Sequence, residues 1–263
     1  MQVSTLIRIF KNVALHRFGK CSVCGRRTLF LVGNMLNVSH VRESLICIFC
    51  RSASRKRHVA VELLRHFALP LTSLAEHKHA LQRFKIYSAV SDDPIYHALG
   101  KDHPNYITSE FFPDVAPGER KNGVLCQTLE ALTFADASFD VVITEDVLEH
   151  VRYPDAAFRE IHRVLKPGGA HIFTVPLTLD QPTVERVRFN GETIEHLLPP
   201  EYHGDALRGK ILAYRNFGID LFDRLTHFGF QTRLSLAQYQ DTVKFGIADS
   251  IVLVSIKQGT HEQ

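Results

Sequence analysis

Four cysteines stand in two matched pairs, Cys21-Ser-Val-Cys24 and Cys47-Ile-Phe-Cys50, with 22 residues between the pairs. A CxxC turn brings both of its sulfurs to one side. Two such turns therefore offer four thiolates to a single tetrahedral ion, the ligand set of a closed, structural zinc site. The other readings are two disulfides or four free thiols, and structural disulfides do not suit a reducing compartment. Acid–base side chains cluster in two further places. One is Glu145, Asp146, Glu149 and His150. The other is Glu201, Tyr202, His203 and Asp205. A histidine in such company is suited to general acid–base work, or is simply bonded to backbone. His203, His150 and Tyr202 are the catalytic candidates.

The elements that must hold these groups are legible around Phe139 to Pro176. Val141, Val142 and Ile143 form an unbroken β-branched run, as in a strand buried on both faces. A polar turn and short helix follow, from Thr144 to Val151. A helix begins after Pro154 with Asp155 as N-cap. Phe158, Ile161, Val164 and Leu165 recur at helical spacing, Arg163 and Lys166 suit its negative end, and Pro167-Gly168-Gly169 stops it. A second buried strand runs from Ala170 to Val175. Strand, crossover helix and strand make a βαβ unit, hence a parallel sheet. Ligands bind beyond the carboxyl ends of such strands, which places Thr144, Glu145, Asp146 and Pro176 at the ligand edge.

The rest of the chain supports a sizeable α/β domain with a small appendage. It has 263 residues and a formal net charge of +3, so no strong overall pull toward nucleic acid or membrane is expected. No apolar run reaches the ~20 residues of a spanning helix, and Met1 to Lys20 reads as an amphipathic packing helix rather than a signal peptide. We expect a cytoplasmic protein. Thr28 to Val32 and the run to Leu45-Ile46 form a small hairpin beside the cysteines. Arg51, Arg55, Lys56, Arg57 and Arg65 open the next helix. They are either a phosphate-gripping patch or a solvated face. The segments are 1–53 (helix and zinc ribbon), 54–83 (linking helices, the second from Thr72 to Arg83) and 84–263. Within the last, Phe84 to Val90, Asn105 to Glu110 and Gly123 to Cys126 are strands, and 177–213 is an irregular lid or substrate loop. A helix lies between Tyr214 and Phe230, closed by Gly229. Gln231 to Leu236 and Ser250 to Ile256 are the last strands.

The strings LTFADASFDVVITEDVLEHV and REIHRVLKPGG, followed by a strand ending in Val-Pro, resemble in order and spacing a class I S-adenosylmethionine-dependent methyltransferase of the type 11 kind. The resemblance covers about Phe84 to Lys257. It implies a Rossmann-like, seven-stranded, mostly parallel sheet whose last strand is antiparallel. It implies S-adenosylmethionine as cofactor, with Ser88 and Ala89 at the first turn. Glu110 lies about twenty residues on, where an acid accepts from both ribose hydroxyls. Phe111 would lie under the adenine or fill the core. Thr128 and the backbone of Leu129 would lie beside the adenine, with Thr144, Glu145 and Asp146 beyond the fourth strand. His203 would take the proton from an acceptor hydroxyl. The chain departs from the family at the first turn, Tyr87 to Pro94, which lacks the usual acid and glycines, and at Thr128, where relatives often have Asp. A cysteine-rich front end with a PPEYHGD-like loop suggests a hydroxyl of a small molecule or sugar as acceptor. RNA held by the ribbon and Arg51 to Arg57 is the alternative, as is a non-catalytic binding module.

Overall fold

The computed structural model describes residues 18–31, 38–99, 103–205 and 207–259. Most of the predicted N-terminal helix lies outside these residues. Its last three form a strand instead, β1 (Phe18–Lys20). β2 (Arg27–Leu31) and β3 (Ile46–Cys47) follow, then the helices α1 (Ser54–His66) and α2 (Lys78–Leu81). The second linking helix is thus a single turn, not the whole of 72–83. β4 (Ile86–Ser88), α3 (Pro94–Leu99), β5 (Tyr106–Glu110), β6 (Arg120–Lys121) and β7 (Val124–Cys126) lead to β8 (Phe139–Glu145). A 3₁₀ turn, Leu148–His150, precedes α4 (Pro154–Val164) and β9 (Leu165–Thr174).

The segment expected to be irregular is instead strand ribbon. It holds β10 (Val184–Glu185), β11 (Val187–Asn190), β12 (Thr193–His196), β13 (Tyr202–Asp205), β14 (Gly209–Leu212) and β15 (Arg215–Asn216). They pair antiparallel as β10 with β15, β11 with β12, and β13 with β14. All four residues of β12 are exposed, so its pairing with β11 holds that strand, while Val187, Ala213 and Arg215 are the buried points of the ribbon. The chain ends with α5 (Leu221–His227), β16 (Phe230–Leu236), α6 (Tyr239–Phe245) and β17 (Ile251–Lys257). Among the described residues no helix is long and apolar enough to cross a membrane.

The chain divides into two compact units. One comprises 1–85, 91–106 and 233–254, the other 86–90, 107–232 and 255–263. In the first, β1, β2 and β3 form an antiparallel ribbon next to the cysteines. The basic run that follows is turned inward. Arg57 is fully buried, and its guanidinium donates to the carbonyls of Ser52, Leu45 (2.6 Å), Phe245 (2.8 Å) and Gly246 (2.9 Å). Its carbon lies 4.1 Å from the centre of the Phe30 ring, a cation–π contact. Burial lowers its pKa to about 10, so it stays charged at neutral pH. Arg55 pairs with Glu43, Lys56 with Asp93, and Arg65 with Glu62 and Asp241. Arg55, Lys56, Arg57 and Arg65 are thus internal fasteners, while Arg51 is exposed.

An eight-stranded sheet has the order β16-β17-β9-β8-β4-β5-β7-β6; β9, β8, β4, β7 and β6 belong wholly to the second unit, while the residues of β16 and β17 are divided between the two. β4 with β8, β8 with β9, and β5 with β7 are parallel pairs. β16 and β17 form an antiparallel hairpin: the Thr232 and Ser255 hydroxyls meet at 2.8 Å, and the Gln258 amide donates to the Gly229 carbonyl. Lys257, ending β17, donates to the carbonyls of His162 and Leu165, where β9 begins, so the last strand opposes β9. The seven expected strands are present, and β6 adds an eighth, antiparallel to β7.

The βαβ unit is built as its residues require. Val141, Val142 and Ile143 are buried on β8, and Ala157, Phe158, Ile161 and Val164 form the buried stripe of α4. Pro154, not Asp155, opens that helix, with Tyr153 as N-cap; the Asp155 carboxylate accepts from Arg224 instead. The helix passes into β9 without a gap. Phe139 pairs with Leu165 and then Val141 with Ala170, so Lys166 to Gly169 bulge out opposite Asp140. Lys166 bonds both oxygens of Asp140, and a Cβ at Gly169 would lie 2.9 Å from the Lys166 carbonyl oxygen. The sequence Lys-Pro-Gly-Gly therefore shapes a bulge in the strand as well as stopping the helix.

Candidate functional site

Two sets of chemistry-bearing side chains converge, one in each unit. The first is the cysteines. The Cys21 and Cys50 sulfurs are 3.6 Å apart, and those of Cys24 and Cys47 are 3.9 Å apart. These distances are far beyond the ~2.05 Å of a disulfide bond, and all four thiols are free. A tetrahedron of sulfurs with ~2.3 Å zinc bonds has edges of about 3.8 Å, so the four side chains fit that ion. The two knuckles share one bonding pattern. Gly25 N–H donates to the Cys21 carbonyl and Arg51 N–H to that of Cys47. Cys21 N–H donates to the Arg26 carbonyl and Cys47 N–H to that of Ser52. Gly25 and Arg51 both take positive φ, +76° and +60°.

The second set stands at the carboxyl end of β8. Strand alternation sends Thr144 and Glu145 to opposite faces. The Thr144 hydroxyl is fully buried and bonded to His171 Nε2 at 2.9 Å, so it does not face a ligand. Glu145 is buried. Asp146 ends the strand at φ +52°; its amide donates to the Thr174 carbonyl and its carboxylate accepts from the Thr174 hydroxyl. The 3₁₀ turn then aims Glu149 and His150 at β13. Arg215 clamps that turn, donating to the carbonyls of Leu148, Val151 and Arg152. The Tyr214 amide donates to the Glu149 carbonyl.

Here three groups meet. His203 Nδ1 lies 3.2 Å from His150 Nε2 and 3.3 Å from Glu149 Oε1, and His150 Nε2 is 3.8 Å from the same oxygen. The remaining ring nitrogens are held outward. His150 Nδ1–H donates to the Leu212 carbonyl at 2.7 Å, and His203 Nε2–H to Glu201 Oε1 at 3.2 Å. Arg186 in turn pairs with Glu201 at 3.0 Å and donates to the Pro199 carbonyl. Glu149 beside it raises the pKa of His203, with burial opposing and Glu201 adding. Burial lowers that of His150, against the pull of Glu149. Tyr202 is not brought in: it alternates to the other face of β13 and is 55% exposed.

The remaining predicted positions line the neighbouring strand ends. Ser88 ends β4 and is buried, while the Ala89 amide donates to the Ile143 carbonyl. Glu110 ends β5, and its carbonyl accepts from the Gln127 amide. Arg208, from the β13–β14 turn, lies 3.8 Å from the Glu110 carboxylate and donates to the Phe111 carbonyl. Phe111 is half exposed, so it does not fill the core. Thr128 bridges to Ala131, and Leu129 is buried beside it. The carboxylate at a strand end matches the donor chemistry of ribose hydroxyls, so Glu110 fits that part of the cofactor. Glu149 stands in an acid–base cluster of the sequence without being one of the site candidates, and Arg186 and Arg208 are not marked there at all. The Glu-His dipeptide at the end of a buried strand was the available signal for Glu149; nothing local marks the two arginines.

The family model described as Methyltransferase domain matches residues 108–173, from within β5 through most of β9. That stretch carries the pattern of a methyltransferase domain. The match takes in Glu110, Thr128, Leu129, the end of β8, Glu149 and His150. Over 67 residues the chain is 34% identical to a dimethylglycine N-methyltransferase of Parasynechococcus marenigrum, covering 23% of this chain and 24% of that protein. Over 45 residues it is 49% identical to a ubiquinone biosynthesis O-methyltransferase of Ruegeria pomeroyi, covering 17% and 18%. The chain thus spans about a quarter or less of these relatives' own length. Among solved structures it is similar to an S-adenosylmethionine-dependent methyltransferase of Mesorhizobium loti, at 15% identity and TM-score 0.40, over 66% of this chain and 91% of that one. It is also similar to the 1,6-didemethyltoxoflavin-N1-methyltransferase of Burkholderia thailandensis, at 12% identity and TM-score 0.37, over 70% and 76%.

Proposed function

We propose that the protein transfers a methyl group from S-adenosylmethionine to a hydroxyl of a small molecule or sugar, and that the four cysteines hold a structural zinc ion. The observation that carries the first part is that the methyltransferase-domain match takes in both the Glu110 strand end and the Glu149-His150 turn. Glu110 would accept the ribose hydroxyls, with Ser88, Ala89 and the Thr128–Leu129 backbone around the rest of the cofactor. When bound, S-adenosylmethionine supplies a methyl already activated by its sulfonium charge. The protein's share is to align the acceptor oxygen and take its proton. The groups placed for that are His203 and His150, with Glu149 fixing their charge. Glu201 and Arg186 orient His203, and Arg215 holds the turn beneath. The exposed Tyr202 is left as an acceptor-binding candidate. An oxygen acceptor is favoured because such an acceptor must lose a proton, and this strand end gathers two imidazoles and a carboxylate.

The test is transfer of labelled methyl to a panel of sugars and other hydroxyl compounds, with amines alongside. Labelling of hydroxyl compounds, lost in His203→Gln, supports the reading. Labelling of amines alone overturns the oxygen acceptor. No labelling together with no cofactor binding overturns the enzyme.

A further inference from the structure

We propose that Glu149, His150 and His203 form a second metal site, which holds a divalent cation through one carboxylate oxygen and two imidazole nitrogens. The argument is one of protons. The Leu212 carbonyl fixes the proton of His150 on Nδ1, and the Glu201 carboxylate fixes that of His203 on Nε2. Neutral rings so held turn bare lone pairs toward each other, from His150 Nε2 and His203 Nδ1, across 3.2 Å. The third corner is the Glu149 carboxylate, which is fully buried. Among the described residues no donor meets either of its oxygens with good hydrogen-bond geometry. Three acceptors facing inward repel unless a cation stands among them.

The geometry points to a metal ion rather than a proton. The three edges are 3.2, 3.3 and 3.8 Å. Ligands at ~2.1 Å from a tetrahedral ion are about 3.4 Å apart, so the triangle is one face of such a polyhedron. A single proton on His203 Nδ1 serves only one of its two contacts, His150 Nε2 at 3.2 Å or Glu149 Oε1 at 3.3 Å, and leaves the other facing acceptor unmet, whereas one ion meets all three. The outward bonds are those of metal-ligating histidines, in which a carbonyl or carboxylate fixes the tautomer. Two imidazoles and a carboxylate suit zinc, iron, cobalt or manganese, and three protein ligands leave positions for a further oxygen. The use of the ion rests on the methyl-transfer reading: with the ion bound, the two imidazoles act as its ligands in place of acting as bases, and a hydroxyl bound to the ion is acidified by it and gives its proton to water. The binding itself does not rest on it.

The experiment is a titration of Mn²⁺ into the full chain with its zinc retained, followed by the loss of the free-ion paramagnetic signal. Manganese is chosen because a hard cation does not compete for thiolates. S-Adenosylhomocysteine binding is measured on the same sample. The expected result is one Mn²⁺ per chain, weakened tenfold or more in Glu149→Gln and in His203→Gln, and unchanged in the exposed-surface variant Tyr239→Phe. Selective broadening of the His150 and His203 ring signals in the unaltered protein gives the same answer if a variant does not fold. No Mn²⁺ binding, or equal binding by the wild type and both cluster variants, overturns the site and leaves a protonated His203 as the counter-ion of Glu149. Binding of S-adenosylhomocysteine without Mn²⁺ defeats this inference alone. Binding of Mn²⁺ without S-adenosylhomocysteine defeats the methyl-transfer reading alone.

Discussion

Replacing Arg57 by methionine keeps most of the side chain's bulk and removes its charge and donors. Four backbone carbonyls, those of Leu45, Ser52, Phe245 and Gly246, then lose a buried donor. A buried acceptor left unmet costs on the order of 1 kcal/mol or more, and the contact with Phe30 adds about 1 kcal/mol. Relief from burying a charge offsets part of this. A net loss of about 3–5 kcal/mol follows, close to what breaking a buried ionic network costs elsewhere. At roughly 2–4 °C per kcal/mol for a chain of this size, the melting temperature should fall by on the order of 10 °C. Arg57→Lys should fall between, since an ammonium cannot span four acceptors as a guanidinium fork does. Thermal melts of zinc-loaded protein by circular dichroism measure both. If Arg57→Met melts within about 2 °C of the wild type, the fastening role is wrong, and a surface role for the basic run returns.

Cys21→Ser or Cys47→Ser should release the metal and unfold the ribbon, with elemental analysis of fresh wild-type protein giving zinc and the variants none; wild type without zinc refutes the site. Two buried histidines set the acid behaviour: burial lowers the pKa of His171 to about 3 and of His58 to about 4. Both stay neutral in the folded state, while the unfolded chain takes up their protons below about 6.5. Stability should therefore be full above pH 6.5 and fall as pH drops toward 4, and His171→Leu should flatten that slope in denaturant titrations at several pH values. Equal slopes in the two proteins would refute the assignment.

How much could be read in advance follows from which residues advertise their surroundings. The βαβ unit was legible because Val141 to Ile143 and the stripe Phe158, Ile161, Val164 carry two clean periodicities. The cysteine knuckles were legible because metal geometry fixes their spacing. The ribbon of 184–216 was not, since its strands are as short as two residues and β12 is exposed throughout, so no apolar alternation marks them. Arg57 looked like one more surface charge, because burial of a guanidinium depends on carbonyls as distant as Phe245 and Gly246. Glu149 had the same difficulty: its partner His203 arrives 54 residues later on a hairpin. Thr144 lies near the carboxyl end of β8, as the sequence indicated, but the partner of its hydroxyl, His171, is on the next strand.

The methyl-transfer proposal requires that S-adenosylmethionine bind through the carboxylate at the end of β5. Calorimetric titration of the full chain with S-adenosylhomocysteine tests it most directly, on the wild type and on Glu110→Ala. Micromolar binding, on the order of −8 kcal/mol, is expected in the first and none in the second. No heat with wild type, and no binding by a second method, would contradict it and make the domain a non-catalytic binding module.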